Sequence, residues 1–259
     1  MEEYIIILLI LAFAILVGST LGFGDALVFI PLVSLFLDVR IAVVIMGFWS
    51  TILSLLNSTN YRNYLDWSLV KKYAAPGIIG VLIGSYLIVI ASTRWIEFAL
   101  GIFVIIYVSI KIHEIFKEKQ ALENGIQILK ERNLESVPGY LFYSGAFSYG
   151  FLGGLIGASG PINVVLLERS GYERESFIAN FSILSAIIGS VKLIVYSASG
   201  LFPFDYIIVF FIGFGVIFLV TKVGHQITPK IPKEKFQIII LILLIIIALK
   251  LLINSAFFY

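Results

Sequence analysis

Cysteine is absent from the 259 residues, which excludes disulfides, thiolate metal sites and cysteine nucleophiles together. Charge is nearly as scarce. Asp, Glu, Lys and Arg make up 13% of the chain while 60% is hydrophobic, so there is too little polar surface to clothe an ordinary soluble domain. Period-two alternation is missing from runs such as FQIIILILLIIIALKLLI, which argues against a transmembrane barrel. The first apolar segment follows the acidic start MEEY and has no small-residue cleavage site, so it is expected to be retained rather than removed as a signal peptide. The net charge of +2 says little, because in a lipid-embedded chain what matters is where each Lys and Arg lies. Neither a nucleic-acid partner nor a cofactor is expected.

What is present is a series of apolar runs near the roughly 20 residues that an α-helix needs to cross a bilayer. The expected fold class is therefore all-α, a polytopic integral membrane protein. Shifting the sequence against itself by 135 residues pairs Gly18 with Gly153, Gly22 with Gly157, Ser50 with Ser185, Ile52 with Ile187 and Gly80 with Gly215. Each half then reads as a broken apolar stretch followed by three spans, the signature of an internal repeat. In the first half the pieces are 4–21, 25–37, 41–60, 73–91 and 96–113; in the second they are 139–157, 161–169, 176–197, 204–221 and 236–254. Residues 1–113 and 137–259 form the two transmembrane repeats, and 114–136, within the one long charged segment, form a solvated cytoplasmic linker.

The pieces 25–37 and 161–169 are too short to cross, since 13 residues at about 1.5 Å each reach less than about 20 Å into a core some 30 Å thick. They read as half-helices returning from a break. Charge placement agrees: if both broken stretches go in and come back, only Arg40, Arg94, Lys192 and Lys250 of the 18 basic residues fall outside, whereas single crossings split them almost evenly. Return geometry implies an odd number of crossings per half, two inverted halves and both termini outside, an arrangement found in secondary transporters.

The breaks read GSTLGFGDALVFIPL, Gly18 to Leu32, and GGLIGASGPINVVLL, Gly153 to Leu167. Pro161 suits the first turn of a new helix, with Ser159 or Gly160 as its cap. The free N–H groups and partial positive charge there favour an anion; the alternative is that these glycines merely allow close helix packing. Asp25, a carboxylate inside an apolar run, is expected either to carry a coupling proton or to cap the half-helix it opens. Asn163 and Asn180 are expected to line the cavity, while Ser50 and Ser185 read more readily as packing hydroxyls. Lys192, about five residues from the end of its span, is within snorkelling reach of the outer headgroups. Its alternative role is to attract the anion at the outer mouth, with Asn57 holding the equivalent inner place.

The stretch GFGDALVFIPLVSLF, Gly22 to Phe36, resembles the glycine-rich signature of the sulfite exporter TauE/SafE family, a G-x-G-G-G run followed by Pro-x-Leu. Gly22, Gly24, Pro31 and, loosely, Leu32 carry the match, and Gly157 to Leu167 keeps its glycine-proline character. Asp25 and Ala26 stand where the family has glycines, and Ser159 and Pro161 also depart, changes that bear on substrate more than on fold. The resemblance implies transport of small anions, commonly sulfite, sulfonates or related sulfur compounds, driven by an ion gradient. A rival reading takes GASG, Gly157 to Gly160, as the nucleophile motif of a rhomboid-like intramembrane serine protease using Ser159. That chemistry needs a histidine base, and His113 and His225 both fall at span ends. The reading adopted is a non-enzymatic anion transporter of the cell membrane. Its substrate-binding candidates are Gly22, Gly24, Asp25, Gly157, Ser159, Gly160, Pro161, Asn163, Asn180 and Lys192, and its coupling ion is read as a proton. Homodimerisation is left open.

Overall fold

The computed structural model describes residues 2–21, 24–123, 138–172, 174–227 and 232–257. Gly22 and the linker beyond Glu123 lie outside the described residues. The chain runs α1 (Glu2–Leu21), α2 (Asp25–Val33), α3 (Val39–Asn60), a 3₁₀ turn (Arg62–Tyr64), α4 (Trp67–Ile90) and α5 (Thr93–Glu123). It continues with α6 (Gly139–Leu155), α7 (Gly160–Arg169), α8 (Arg174–Ala198), a second 3₁₀ turn (Phe204–Tyr206), α9 (Ile207–Ile227) and α10 (Lys233–Phe257). The described residues contain seven helices long and apolar enough to cross a membrane. Large apolar side chains such as Ile79, Tyr86, Phe211 and Phe218 stand exposed along them, as a lipid-facing surface requires.

Helix starts follow local capping chemistry rather than hydropathy. Asp66 Oδ1 accepts from the amides of Ser68 at 2.8 Å and Leu69 at 3.2 Å, so α4 begins at Trp67, six residues before the expected apolar run. Asp38 Oδ1 likewise takes the Arg40 amide at 2.8 Å to open α3. At the other extreme, α5 continues past residue 113 to Glu123, into the segment expected to be linker. The half-helix α2 stops at Val33, where the Ser34 hydroxyl and amide both turn back to the Ile30 carbonyl.

Both broken stretches turn back on themselves. Glu3, Ile6, Ile7 and Ile10 of α1 share a small apolar recess with Val33, Phe36 and Leu37, so the chain returns to the end from which it entered. In the second half, Gly145 of α6 faces Leu166 of α7 in the same way. Equivalent glycines seat the two returns: a Cβ on Gly18 would stand 3.0 Å from Asp25 Cβ, and one on Gly153 would stand 2.8 Å from Ser159 Oγ. The principal packing pairs are α4 with α6, α3 with α8, α5 with α10, α1 with α9 and α4 with α8. Under the 135-residue shift the first four map onto one another, whereas α4 with α8 maps onto the much slighter contact of α9 with α3.

The α4–α6 crossing is built from glycine. A Cβ on Gly80, Gly84 or Gly150 would meet backbone oxygen at 2.2, 2.1 and 2.0 Å respectively, distances no side chain tolerates. The repeat partner of Gly80, Gly215, has nothing within 4 Å. Gly80→Ala is therefore expected to destabilise the protein by about 1–3 kcal/mol through overpacking. Gly215→Ala should be neutral or slightly stabilising, because it adds helix propensity without a clash. Thermal unfolding in detergent checks the pair, and equal behaviour of the two variants would contradict the close crossing.

Candidate functional site

A cavity of about 270 Å³ lies between the two breaks. Break one contributes Gly24, Asp25, Ala26 and Leu27, and break two contributes Gly157, Ala158, Ser159, Gly160 and Pro161. The breaks touch each other because Gly157 has no side chain: a Cβ there would meet Ile30 Cδ1 of α2 at 2.7 Å and Val43 Cγ1 of α3 at 3.2 Å. Its φ of 72° is also left-handed, a conformation that glycine enters without strain. The remaining walls come from α3 and α8, which present Ser50, Ser54 and Asn57 and, across the gap, Ser182, Ser185 and Lys192.

Break two holds open backbone donors. Gly157 N–H bonds Leu152 O and Ile162 N–H bonds Ser159 O. The amides of Ala158, Ser159 and Gly160 between them donate to no described group. Ser159 is the N-cap of α7, yet its hydroxyl makes no capping bond, so the first turn keeps its unsatisfied donors and the positive end of its dipole. Break one differs. There the Asp25 carboxylate accepts the Ala26 amide at 2.9 Å and already occupies the anion position at the head of α2.

Lys192 corrects an expectation. Its side chain does not snorkel outward. It turns inward to the cavity wall, 6% exposed, with Cε placed so that a Cβ on Gly47 would stand 3.0 Å away. Next to Gly47 in the chain, Phe48 and Trp49 pack against Phe210, on which Phe202 stacks. Trp49 Nε1 donates to Phe210 O at 3.1 Å, tying these rings to α9, and one turn beyond Lys192 the Tyr196 hydroxyl donates to Gly154 O of α6 at 2.5 Å. The opposite end of the cavity reaches exposed Asn57.

Two expected lining residues stand elsewhere. Asn163 is fully buried behind the wall, with both amide atoms lacking a hydrogen-bond partner among the described residues. Asn180 is also buried, and its side chain is engaged structurally: Oδ1 accepts the Asp66 amide at 3.0 Å and Nδ2 donates to Ser176 O at 2.7 Å. Conversely, Ser50 and Ser185 do line the cavity, Ser185 Oγ lying 2.8 Å from the Tyr149 hydroxyl. Tyr149 and Ser54 are cavity residues that sequence reasoning missed. For Ser54 a signal existed, since Ser50, Ser54 and Asn57 recur at helical spacing on one face of α3.

The Asn180 contact belongs to a clasp between the halves. Asp66 Oδ2 accepts the Tyr172 hydroxyl, which holds the Asp66 carboxyl below the usual carboxylate range, while Asn180 takes the Asp66 amide. The start of α4 is thereby tied to the α7–α8 loop and to α8.

The family model described as Sulfite exporter TauE/SafE matches residues 7–251, nearly the whole chain and both breaks. The chain belongs to the sulfite exporter TauE/SafE family. No curated protein and no solved structure matches it. TauE/SafE proteins are membrane transporters of sulfite or related anions, not enzymes, and the protease reading of Ser159 gains nothing from the geometry. Ser159 Oγ hydrogen-bonds no base among the described residues. His113 sits on α5 and His225 on α9, and the principal packing of these helices is against α10 and α1, not against α7.

The clasp yields a stability prediction. Tyr172→Phe and Asn180→Ala are each expected to cost about 1 kcal/mol, and the double variant less than their sum because both act through Asp66. Since the folded carboxyl titrates below its ordinary value, the wild-type increment is present above about pH 4 and is lost as pH falls further. Chemical unfolding in detergent at pH 7 and pH 3.5 checks both statements.

Proposed function

We propose that this TauE/SafE protein is a secondary transporter that moves a small anion, a sulfur oxyanion or organosulfonate, by alternating access between two inverted halves with the proton as coupling ion. The observation that carries the reading is the convergence of three free backbone amides and one ammonium on a single cavity flanked by both breaks. Amide donors fixed at a helix N-terminus recognise oxyanions without reorganising, and a nearby cation raises the local anion concentration. The cavity's contrast between an end reaching exposed Asn57 and an end holding buried Lys192 supports one facing state of an alternating-access cycle. Positive-inside counting supports a cytoplasmic Asn57 end and both termini outside.

Asp25 is read as a cap, because its carboxylate is engaged by the helix it opens. Asn accepts the same amide, so Asp25→Asn is expected to keep gradient-driven uptake within about threefold of wild type. Loss of accumulation with exchange retained would instead make Asp25 the proton carrier. Gly160→Pro removes one amide donor at a position where helices accept proline. It should weaken anion uptake at least about tenfold, the worth of one hydrogen bond to a charged group. Proteoliposome uptake with a panel of sulfite, thiosulfate, methanesulfonate and small carboxylates measures both variants. Uptake of none of these by the wild type would overturn the transport reading.

A further inference from the structure

Lys192 is a buried charge with nothing to balance it. It makes no hydrogen bond or ion pair with any described residue, and the ion pair found among those residues, Lys111 with Glu114, lies elsewhere. The groups that share the cavity wall with it are few: Ser50 and Ser54 from α3, Asp25 from α2, Tyr149 from α6, and Ser182 and Ser185 on its own helix, with Gly47 against its Cε. Asp25 is the one carboxylate among the cavity walls, and it stands outside ion-pair distance with an oxygen held by its own helix. The side chain is 6% exposed, with Cε against Gly47 of α3 and the cavity on its other side. A desolvated ammonium without a counter-charge does not persist: it either keeps an anion beside it or gives up its proton.

Resting on the reading of this cavity as an anion site, we propose that Lys192 carries the coupling proton: it is an ammonium while the anion lies beside the amides of Ala158, Ser159 and Gly160, and a neutral amine once the anion has left. On release one N–H bond of the ammonium breaks, the electron pair stays on Nζ and the proton passes to water at the Asn57 end; nothing is oxidised or reduced. Anion and proton travel as a neutral pair. The anion-free cavity then changes its facing without a bare charge inside, which makes the cotransport obligatory. Of the two roles the sequence allowed Asp25, this leaves the cap and gives the proton to Lys192.

The test counts protons. Methanesulfonate, whose charge is constant over the range, is titrated into the purified full chain at pH 8.5 in two buffers of different protonation enthalpy. The expected result is uptake of close to one proton per anion bound by the wild type, with affinity falling by up to about tenfold per pH unit as the medium becomes more alkaline. Lys192→Met should bind at least tenfold more weakly and take up no proton. Lys192→Arg, checked for monodisperse elution, should exchange anion across proteoliposomes but fail to accumulate it against a gradient. Binding to the wild type without proton uptake, or undiminished uptake in Lys192→Met, overturns the assignment while leaving the anion site standing. If the wild type binds neither methanesulfonate, sulfite nor thiosulfate, the cavity reading fails and this inference with it.

Discussion

Backbone groups released where a helix is interrupted must find partners or water, and in an apolar medium that requirement decides where everything else goes. Two interruptions facing lipid would leave amides and carbonyls unsatisfied at several kcal/mol each. The chain resolves this by burying the interruptions against one another, Gly157 against Ile30 and Val43, so that the freed groups border one polar cavity. The glycines at Gly18 and Gly153 serve the same end, allowing each half-helix to begin in contact with the helix before it.

The two interruptions are equivalent in position but not in chemistry. At the head of α2 the Asp25 carboxylate supplies an internal anion. At the head of α7 Ser159 declines the capping role, and three successive amides remain open. One break therefore has its leading amide engaged by a side chain and the other does not. The 135-residue shift likewise sets Asn57 against Lys192.

The two ends of the cavity differ in what surrounds them. Beside Gly47, which adjoins Lys192, lies aromatic packing tied by Trp49 to the backbone of α9. At the level of Asn57 the halves are joined by the clasp through Asp66, Tyr172 and Asn180. Apolar packing yields by sliding and repacking, whereas a network of oriented hydrogen bonds is made or broken as a unit.

Hydropathy, the positions of Gly and Pro and the 135-residue shift were enough to foresee an all-α membrane protein, the two short half-helices and the breaks between them, since each rests on local composition and spacing. Local capping by Asp66 and Asp38 escaped that reading because a polar first turn looks like loop to any hydropathy window. What tertiary structure alone decided was the direction of side chains. Lys192 and Asn180 lie on the same helix, but the lysine turns into the cavity against Gly47, while the Asp66 amide draws the asparagine away from it. Both contacts join residues more than a hundred positions apart, which periodicity within a segment does not register.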